Sequence, residues 1–218
     1  MKTSNKKISS KYTADYASEY QPGSNNRVLR NKLGITHTRE IEDAELEGYI
    51  NAERTMLSEF AIDQRISLED IDHLHRLFLG NIYQWAGKYR TVNISKDGFP
   101  FASAHALPAA MKEFEKKILE PNTPCNGPPP EKIASNIAIV HAELLLLHPY
   151  REGNGRTARL LATLMAYQAD LKGIDFGFIG GRGKNFNAYI GAIHSAVKRN
   201  YLPMQKIITE ALRRAEGE

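Results

Sequence analysis

A single cysteine, Cys125, among 218 residues excludes an internal disulfide framework and fits a reducing compartment. Long apolar runs are missing as well. Segments such as Leu144 to Leu147 fall far short of the roughly 20 residues a bilayer span requires, and the N-terminus has charge and hydroxyls but no apolar signal core. Charge of one sign does not dominate: 29 Lys and Arg against 25 Asp and Glu leave a net +4. The modest cluster at Lys2, Lys6, Lys7 and Lys11 reads as a solvated tail, so neither nucleic acid nor a membrane surface is expected as partner. What the chain does have is 42% hydrophobic residues, enough for one substantial core in one domain.

Residues 1–27 are polar, end near the turn formers Pro22-Gly23-Ser24-Asn25-Asn26, and read as an arm ahead of a domain spanning 28–218. Thr36 or Thr38 is the expected cap of a helix through Glu40 to Phe60, with Leu46, Tyr49, Ile50, Met56, Leu57 and Phe60 at roughly helical spacing. Ser67 and Asp70 form a capping-box pattern that opens a second helix, closed by Asn81 to Gly87 with Gly87 just past its end. The period then changes. Tyr89, Val92 and Ile94, followed across Lys96-Asp97-Gly98 by Phe99 and Phe101, predict two short strands joined by an Asp-Gly turn, an edge available for pairing. Helical patterns resume over Leu107–Leu119, Glu131–Leu147, Thr157–Leu171, Lys184–Lys198 and Pro203–Ala215, with 121–130 as a turn-rich connector. The expected fold is all-α, with about seven or eight helices, one hairpin, and Glu131–Leu147 at the centre.

Between the two most apolar helices lies His148-Pro149-Tyr150-Arg151-Glu152-Gly153-Asn154-Gly155-Arg156-Thr157-Ala158-Arg159. Two glycines permit positive φ and close approach, so backbone N–H groups ahead of a helix can converge on an anion. Arg156 and Arg159 lie one turn apart and can reach the same phosphates. Glu152 supplies a hard oxygen ligand where Mg²⁺ would bridge phosphate oxygens, and His148 can take a proton from an incoming hydroxyl. Each feature alone is commonplace in turns and helix ends. Their joint occurrence within twelve residues describes attack on a nucleotide phosphorus by a substrate hydroxyl, without deciding which phosphorus. A zinc site built from His73 and His75, or from His141 and His148, is the competing use of histidine, and no matching ligand set lies near them.

The stretch resembles the signature of the Fic family, His-x-Phe-x-(Asp/Glu)-Gly-Asn-Gly-Arg-x-x-Arg, with Tyr150 where Phe is usual. Ile82-Tyr83-Gln84-Trp85-Ala86-Gly87-Lys88-Tyr89-Arg90 is similar to the segment before the family's hairpin, and residues 20–35 resemble Fic domains of bacterial host-targeted effectors. The resemblance implies AMPylation, in which a Ser, Thr or Tyr hydroxyl of a target protein attacks the α-phosphate of ATP. It implies His148 as general base, Glu152 as the Mg²⁺ ligand, and Asn154 with the amides of Gly153 and Gly155 as the α-phosphate cradle. Arg156 would hold the β-phosphate side and Arg159 the γ-phosphate, with Thr157 and Ala158 in the same ATP-binding stretch. Asn187 and Tyr189 correspond to the adenine pocket. The hairpin corresponds to a flap that holds the target by strand pairing, for which Asn93, Ile94, Ser95 and Lys96 are the candidates.

Many members are restrained by a helix of pattern (Ser/Thr)-x-x-x-Glu-(Gly/Asn). Asp43 to Gly48 and Leu212 to Gly217 each lack its first residue, which implies that any inhibitor is a separate, small antitoxin-like partner. The place of action implied is the bacterial cytoplasm or a host cell after translocation. The alternatives are another donor or the reverse hydrolysis on the same fold, or a non-catalytic interaction module.

Overall fold

The computed structural model describes residues 19–217 except 97, 128 and 182. The basic cluster at Lys2 to Lys11 and the Asp97 of the expected turn lie outside the described residues. The described chain is mostly helical with one two-stranded hairpin, in agreement with the expected all-α class. Residues from Glu19 onward already lie against the helical body: Tyr20 bridges Leu29, Val28 is buried, and Glu19 pairs with Arg151 at 2.7 Å.

Helix α1, Thr38–Glu59, starts where the pattern predicts, but its cap falls on His37, whose side chain makes no capping bond. Its buried stripe is Ile41, Glu45, Ala52 and Met56. The capping box is present as expected ahead of α2, Leu68–Leu79: Ser67 N–H donates to Asp70 Oδ2 at 2.8 Å and Asp70 N–H to Ser67 Oγ at 3.2 Å. Ile71, Leu74, Phe78 and Leu79 are buried along α2, and each contributes about 1.5–3 kcal/mol by leaving water. The helix stops at Leu79 rather than running on towards Gly87. Ile82 and Tyr83 fold back to bond Leu79 O, and Gly87 N–H donates to His75 Nδ1 at 2.7 Å. Gly87 keeps a left-handed φ of 73° there, and a Cβ would meet Asp72 O at 2.8 Å.

Strands β1, Ser95–Lys96, and β2, Phe99–Pro100, pair antiparallel with Ser95 opposite Pro100 and Lys96 opposite Phe99. The ladder is shorter than the alternation from Tyr89 to Phe101 predicts. Pro100 has no N–H to donate, Ile94 is buried, and the carbonyls of Val92 and Ala102 accept from the Arg90 guanidinium instead of from a partner strand.

After the hairpin, α3 (Leu107–Phe114), a π turn (Glu115–Leu119) and α4 (Glu120–Asn122) run on as one helical stretch. Then come α5 (Pro130–Leu147), α6 (Asn154–Gln168), α7 (Lys184–Ala196) and α8 (Leu202–Glu216). Helix α5 is central as expected: it packs against α3, α6, α7 and α8, while α6 also meets α1 and α2. Ile133, Ile137, Val140, Leu144 and Leu145 of α5 are all buried. Among the described residues no helix is long and apolar enough to cross a membrane. Ser67→Ala removes the cap of α2 and is expected to lower stability by about 1 kcal/mol, read as a shifted urea midpoint at unchanged slope.

Candidate functional site

Helix α5 ends inside the molecule, and His148 carries the reversal in the left-handed region at φ 50° and ψ 58°. Its N–H donates to Leu144 O at 3.0 Å, and Nδ1–H donates to Leu145 O at 2.9 Å. A carbonyl facing Nδ1 requires the hydrogen there, which leaves the lone pair on Nε2. Phe101 of the hairpin stacks on the ring, centroids 3.8 Å apart, and Arg90 Nε–H donates to the His148 carbonyl at 2.9 Å. Burial lowers the ring's pKa from 6.5 to about 4, so the imidazole is neutral near pH 7 and can receive a proton.

The loop beyond it is closed by one amide. Tyr150 N–H donates to Asn154 Oδ1 and Asn154 Nδ2–H donates to Tyr150 O, both at 2.8 Å. Asn154 is buried and shapes the turn, so its side chain faces the loop rather than the cleft. Gly153 precedes α6 at φ 82°, where a Cβ would meet Leu79 at 2.8 Å and Phe78 at 3.0 Å. Gly155 differs: it is already helical, with open space where a Cβ would stand. Only the first glycine needs the left-handed region, and the second keeps the cleft side open. The motif is accordingly half loop and half helix, since α6 begins at Asn154 rather than at Thr157.

His148, Glu152, Gly153, Gly155, Arg156 and Arg159 line one cleft of about 710 Å³, with Lys96 from β1 and Tyr189 from α7. Thr157 and Ala158 are buried and face inward, where Thr157 Oγ1–H donates to Gly153 O at 3.0 Å and Ala158 O accepts from His141 at 3.0 Å. Asn187 is exposed outside the cleft; Phe186 and Ile193 of the same helix line it instead. Of the four hairpin candidates, Lys96 lines the cleft and lies 5.8 Å above the Phe186 ring. Asn93 is exposed and accepts Ala104 N–H at 2.8 Å, Ile94 is buried, and Ser95 lies in β1.

Among the described residues, five cationic side chains, Arg27, Lys96, Arg151, Arg156 and Arg159, line the cleft against three carboxylates, Glu42, Glu45 and Glu152, a balance that suits an anion. Glu152 Oε1 accepts Gly153 N–H at 2.9 Å and lies 3.4 Å from Arg156. Arg156 sits over Phe78 and donates to Glu45 Oε2 at 2.6 Å. Burial works against its charge, but Glu45 and Glu152 outweigh it and hold its pKa above the ordinary value. Arg159 lies over Phe176, and its buried Nε–H has no hydrogen-bond partner among the described residues. The Tyr189 hydroxyl donates to His141 Nε2 at 2.7 Å.

Two supporting residues escaped the sequence reading. Glu45 bridges Tyr83 and Arg156; its signal was a carboxylate within the apolar stripe of α1. His75 is fully buried, accepts Gly87 N–H on Nδ1, donates from Nε2 to Glu152 O at 3.0 Å, and stacks on Tyr150 at 3.8 Å. No sequence spacing marks those partners. The zinc alternative finds no ligand set: among the described residues no group of three or more His, Cys, Asp or Glu could hold a metal ion. Tyr150, unusual in the motif, donates its hydroxyl to Asp72 Oδ1 at 2.6 Å.

His75, His141 and His148 each have a pKa lowered by burial to about 4. The unfolded chain binds protons at these rings below about 6.5, whereas the folded chain resists until about pH 4. Stability is therefore full above pH 6.5 and falls as the pH drops from 6.5 to 4, by up to about 3 kcal/mol per ring. Urea unfolding at pH 7 and pH 5 measures it, and His141→Gln is expected to flatten the dependence. Tyr150→Phe strands the Asp72 carboxylate and is expected to cost about 1 kcal/mol in the same assay.

Residues 65–166 match the Fic/DOC family. The chain is 28% identical over 142 residues to protein adenylyltransferase VbhT of Bartonella schoenbuchensis, an alignment covering 65% of this chain and 29% of that protein. The chain thus spans under a third of that relative's length. In fold it is similar to the N-terminal Fic domain of a Bartonella effector protein from Bartonella sp. AR 15-3, with TM-score 0.72, 18% identity, and coverage of 94% of this chain and 96% of the other. It is also similar to the BepC protein of Bartonella tribocorum, a structure with bound AMPPNP, with TM-score 0.68, 22% identity, and coverage of 84% and 91%. The motif, the fold and the matched segment agree: residues 65–166, just under half of the chain, match the Fic/DOC family.

Proposed function

We propose that the chain transfers AMP from ATP to the hydroxyl of a Ser, Thr or Tyr side chain on a target protein. The observation that carries the reading is the meeting of His148, with its lone pair on Nε2, and the Gly153–Arg159 helix start in one cationic cleft. The names of the relatives as protein adenylyltransferases support it further.

In this reading the triphosphate lies along the N-terminal turn of α6, where backbone N–H groups and the helix dipole favour negative charge. Arg156 and Arg159 take the β- and γ-phosphates. The unpartnered Nε–H of Arg159 fits that assignment; Arg156 must exchange some of its bond to Glu45 for a phosphate oxygen. Asn154 acts through its place in the turn, and the adenine pocket is walled by Tyr189, Phe186 and Ile193. The target hydroxyl attacks the α-phosphorus, its proton passes to His148 Nε2, and the bond to pyrophosphate breaks. Triphosphate charge beside the ring favours the imidazolium that forms.

Of the carboxylates that line the cleft, Glu152 stands just before α6, which suits Mg²⁺ held jointly by a carboxylate and phosphate oxygens. Bound there, the ion would neutralise charge on the leaving group. The hairpin would hold the target by strand pairing beside Lys96. A separate antitoxin-like protein is the proposed inhibitor: Glu47 is exposed, Glu216 pairs with Lys172 at 3.1 Å, and Arg159 has no ion pair among the described residues.

The test is incubation with Mg²⁺, cell lysate and ATP carrying ³²P at either the α or the γ position. Label from the α form alone is expected; label from the γ form alone would replace AMP transfer with a kinase-like reaction. His148→Ala is expected to lower α-labelling by about 10²-fold or more.

A further inference from the structure

The hairpin is the element least able to support itself, with two residues in each strand against the several that independent stability requires. Its limbs are joined by the strand pairs, by Phe101 N–H to Ile94 O at 3.3 Å and by Ala104 N–H to Asn93 Oδ1 at 2.8 Å, and one side chain ties both limbs to the helical body. Arg90 Nη1–H donates to Val92 O at 2.8 Å on the first limb, and Nη2–H donates to Ala102 O on the second. Its Nε–H reaches the His148 carbonyl at 2.9 Å, and its own N–H donates to Pro149 O at 2.8 Å. One planar fork therefore joins both ends of the hairpin to the reversal that presents the imidazole. Burial lowers the guanidinium to about 10, still charged near pH 7, so these are charge-assisted bonds. Among the described residues no carboxylate pairs with Arg90, and Arg90 does not line the cleft. A buried guanidinium bonded only to carbonyls acts through geometry, which an ammonium with its point-like donors cannot reproduce.

We propose that Arg90 is a positioning residue that fixes the height of the hairpin above His148, so that a hydroxyl on a docked target meets Nε2. This rests on the AMP-transfer reading. Phe101 contributes from the hairpin side by its stack on the His148 ring, and Arg90 sets the position of both partners of that stack. Loss of the fork separates two properties that a general loss of structure would lower together. The cradle at α6 keeps its affinity for nucleotide, while transfer slows because hydroxyl and base are misplaced.

The test compares Arg90→Met, Arg90→Lys and the milder Phe101→Ala in the full chain, by thermal melting, AMPPNP binding by calorimetry, amide exchange over 94–101, and α-label transfer at saturating ATP. Arg90→Met is expected to keep AMPPNP affinity within about twofold, to speed hairpin exchange about tenfold, and to slow transfer by about tenfold or more. Arg90→Lys is expected to fall between it and the parent chain, and Phe101→Ala to slow transfer with little change in hairpin exchange. Should Arg90→Met lose cooperative melting, Arg90→Lys is judged by the same criteria. Unchanged hairpin exchange, or a loss of AMPPNP affinity matching the loss of transfer, overturns the proposal. If the parent chain transfers no α-label, AMP transfer fails as the activity, and hairpin exchange still decides whether Arg90 holds the hairpin.

Discussion

A largely buried helix that must end inside the molecule is the constraint on which the rest depends. Six buried residues, 148–153, join the last carbonyls of α5 to the first N–H groups of α6. Buried backbone groups of this kind need partners. The chain supplies them locally: His148 takes a left-handed turn, Asn154 bonds both main-chain groups of Tyr150, and Arg90 reaches in for the His148 carbonyl. Each of these bonds also fixes a group that faces the cleft. The requirement to end one helix and begin another thus sets the geometry of the site.

Neutral histidines serve as the joints of this arrangement. His75 and His141 are each bonded at both ring nitrogens, accepting on one and donating to a motif carbonyl from the other, Glu152 O and Ala158 O. Such a ring has one permitted tautomer, so it transmits position without ambiguity. Glu152 and Tyr189 are oriented this way by groups that never enter the cleft. Charged rings could not do this, because the imidazolium has no acceptor nitrogen.

Much of the architecture was legible because helical spacing and end signals act locally. The Ser67 to Asp70 box, the central place of α5 and the turn at Gly153 all follow from a few adjacent residues. The exceptions share a cause: α2 stops at Leu79 because His75 takes the Gly87 amide, and β1 is short because Arg90 takes the Val92 carbonyl. In both places a side chain competes with regular backbone pairing, and a periodic pattern carries no record of that competition. Within the site, the motif marked the cleft-facing groups His148, Glu152, Gly153, Gly155, Arg156 and Arg159. It could not separate them from Asn154, Thr157 and Ala158, which face inward, because one turn of helix presents both sides. Asn187 illustrates the same limit on α7, where the cleft is met one residue before and two residues after it.

The two sides of the cleft are built with unequal rigidity. The α6 side is the start of a helix packed on α1, α2 and α5, and its form follows from the motif. The hairpin side has two strand pairs, its fork at Arg90, and aromatic contacts at Phe101 on His148 and Phe99 on His194, centroids 4.7 Å apart on the latter. If a target pairs with this edge as proposed, main-chain bonds would accept many sequences, and its identity would not be written in β1 or β2. In the proposed transfer the hairpin must keep its distance from His148 constant, and Arg90, which lies outside the hairpin and bonds only to carbonyls, would set that distance.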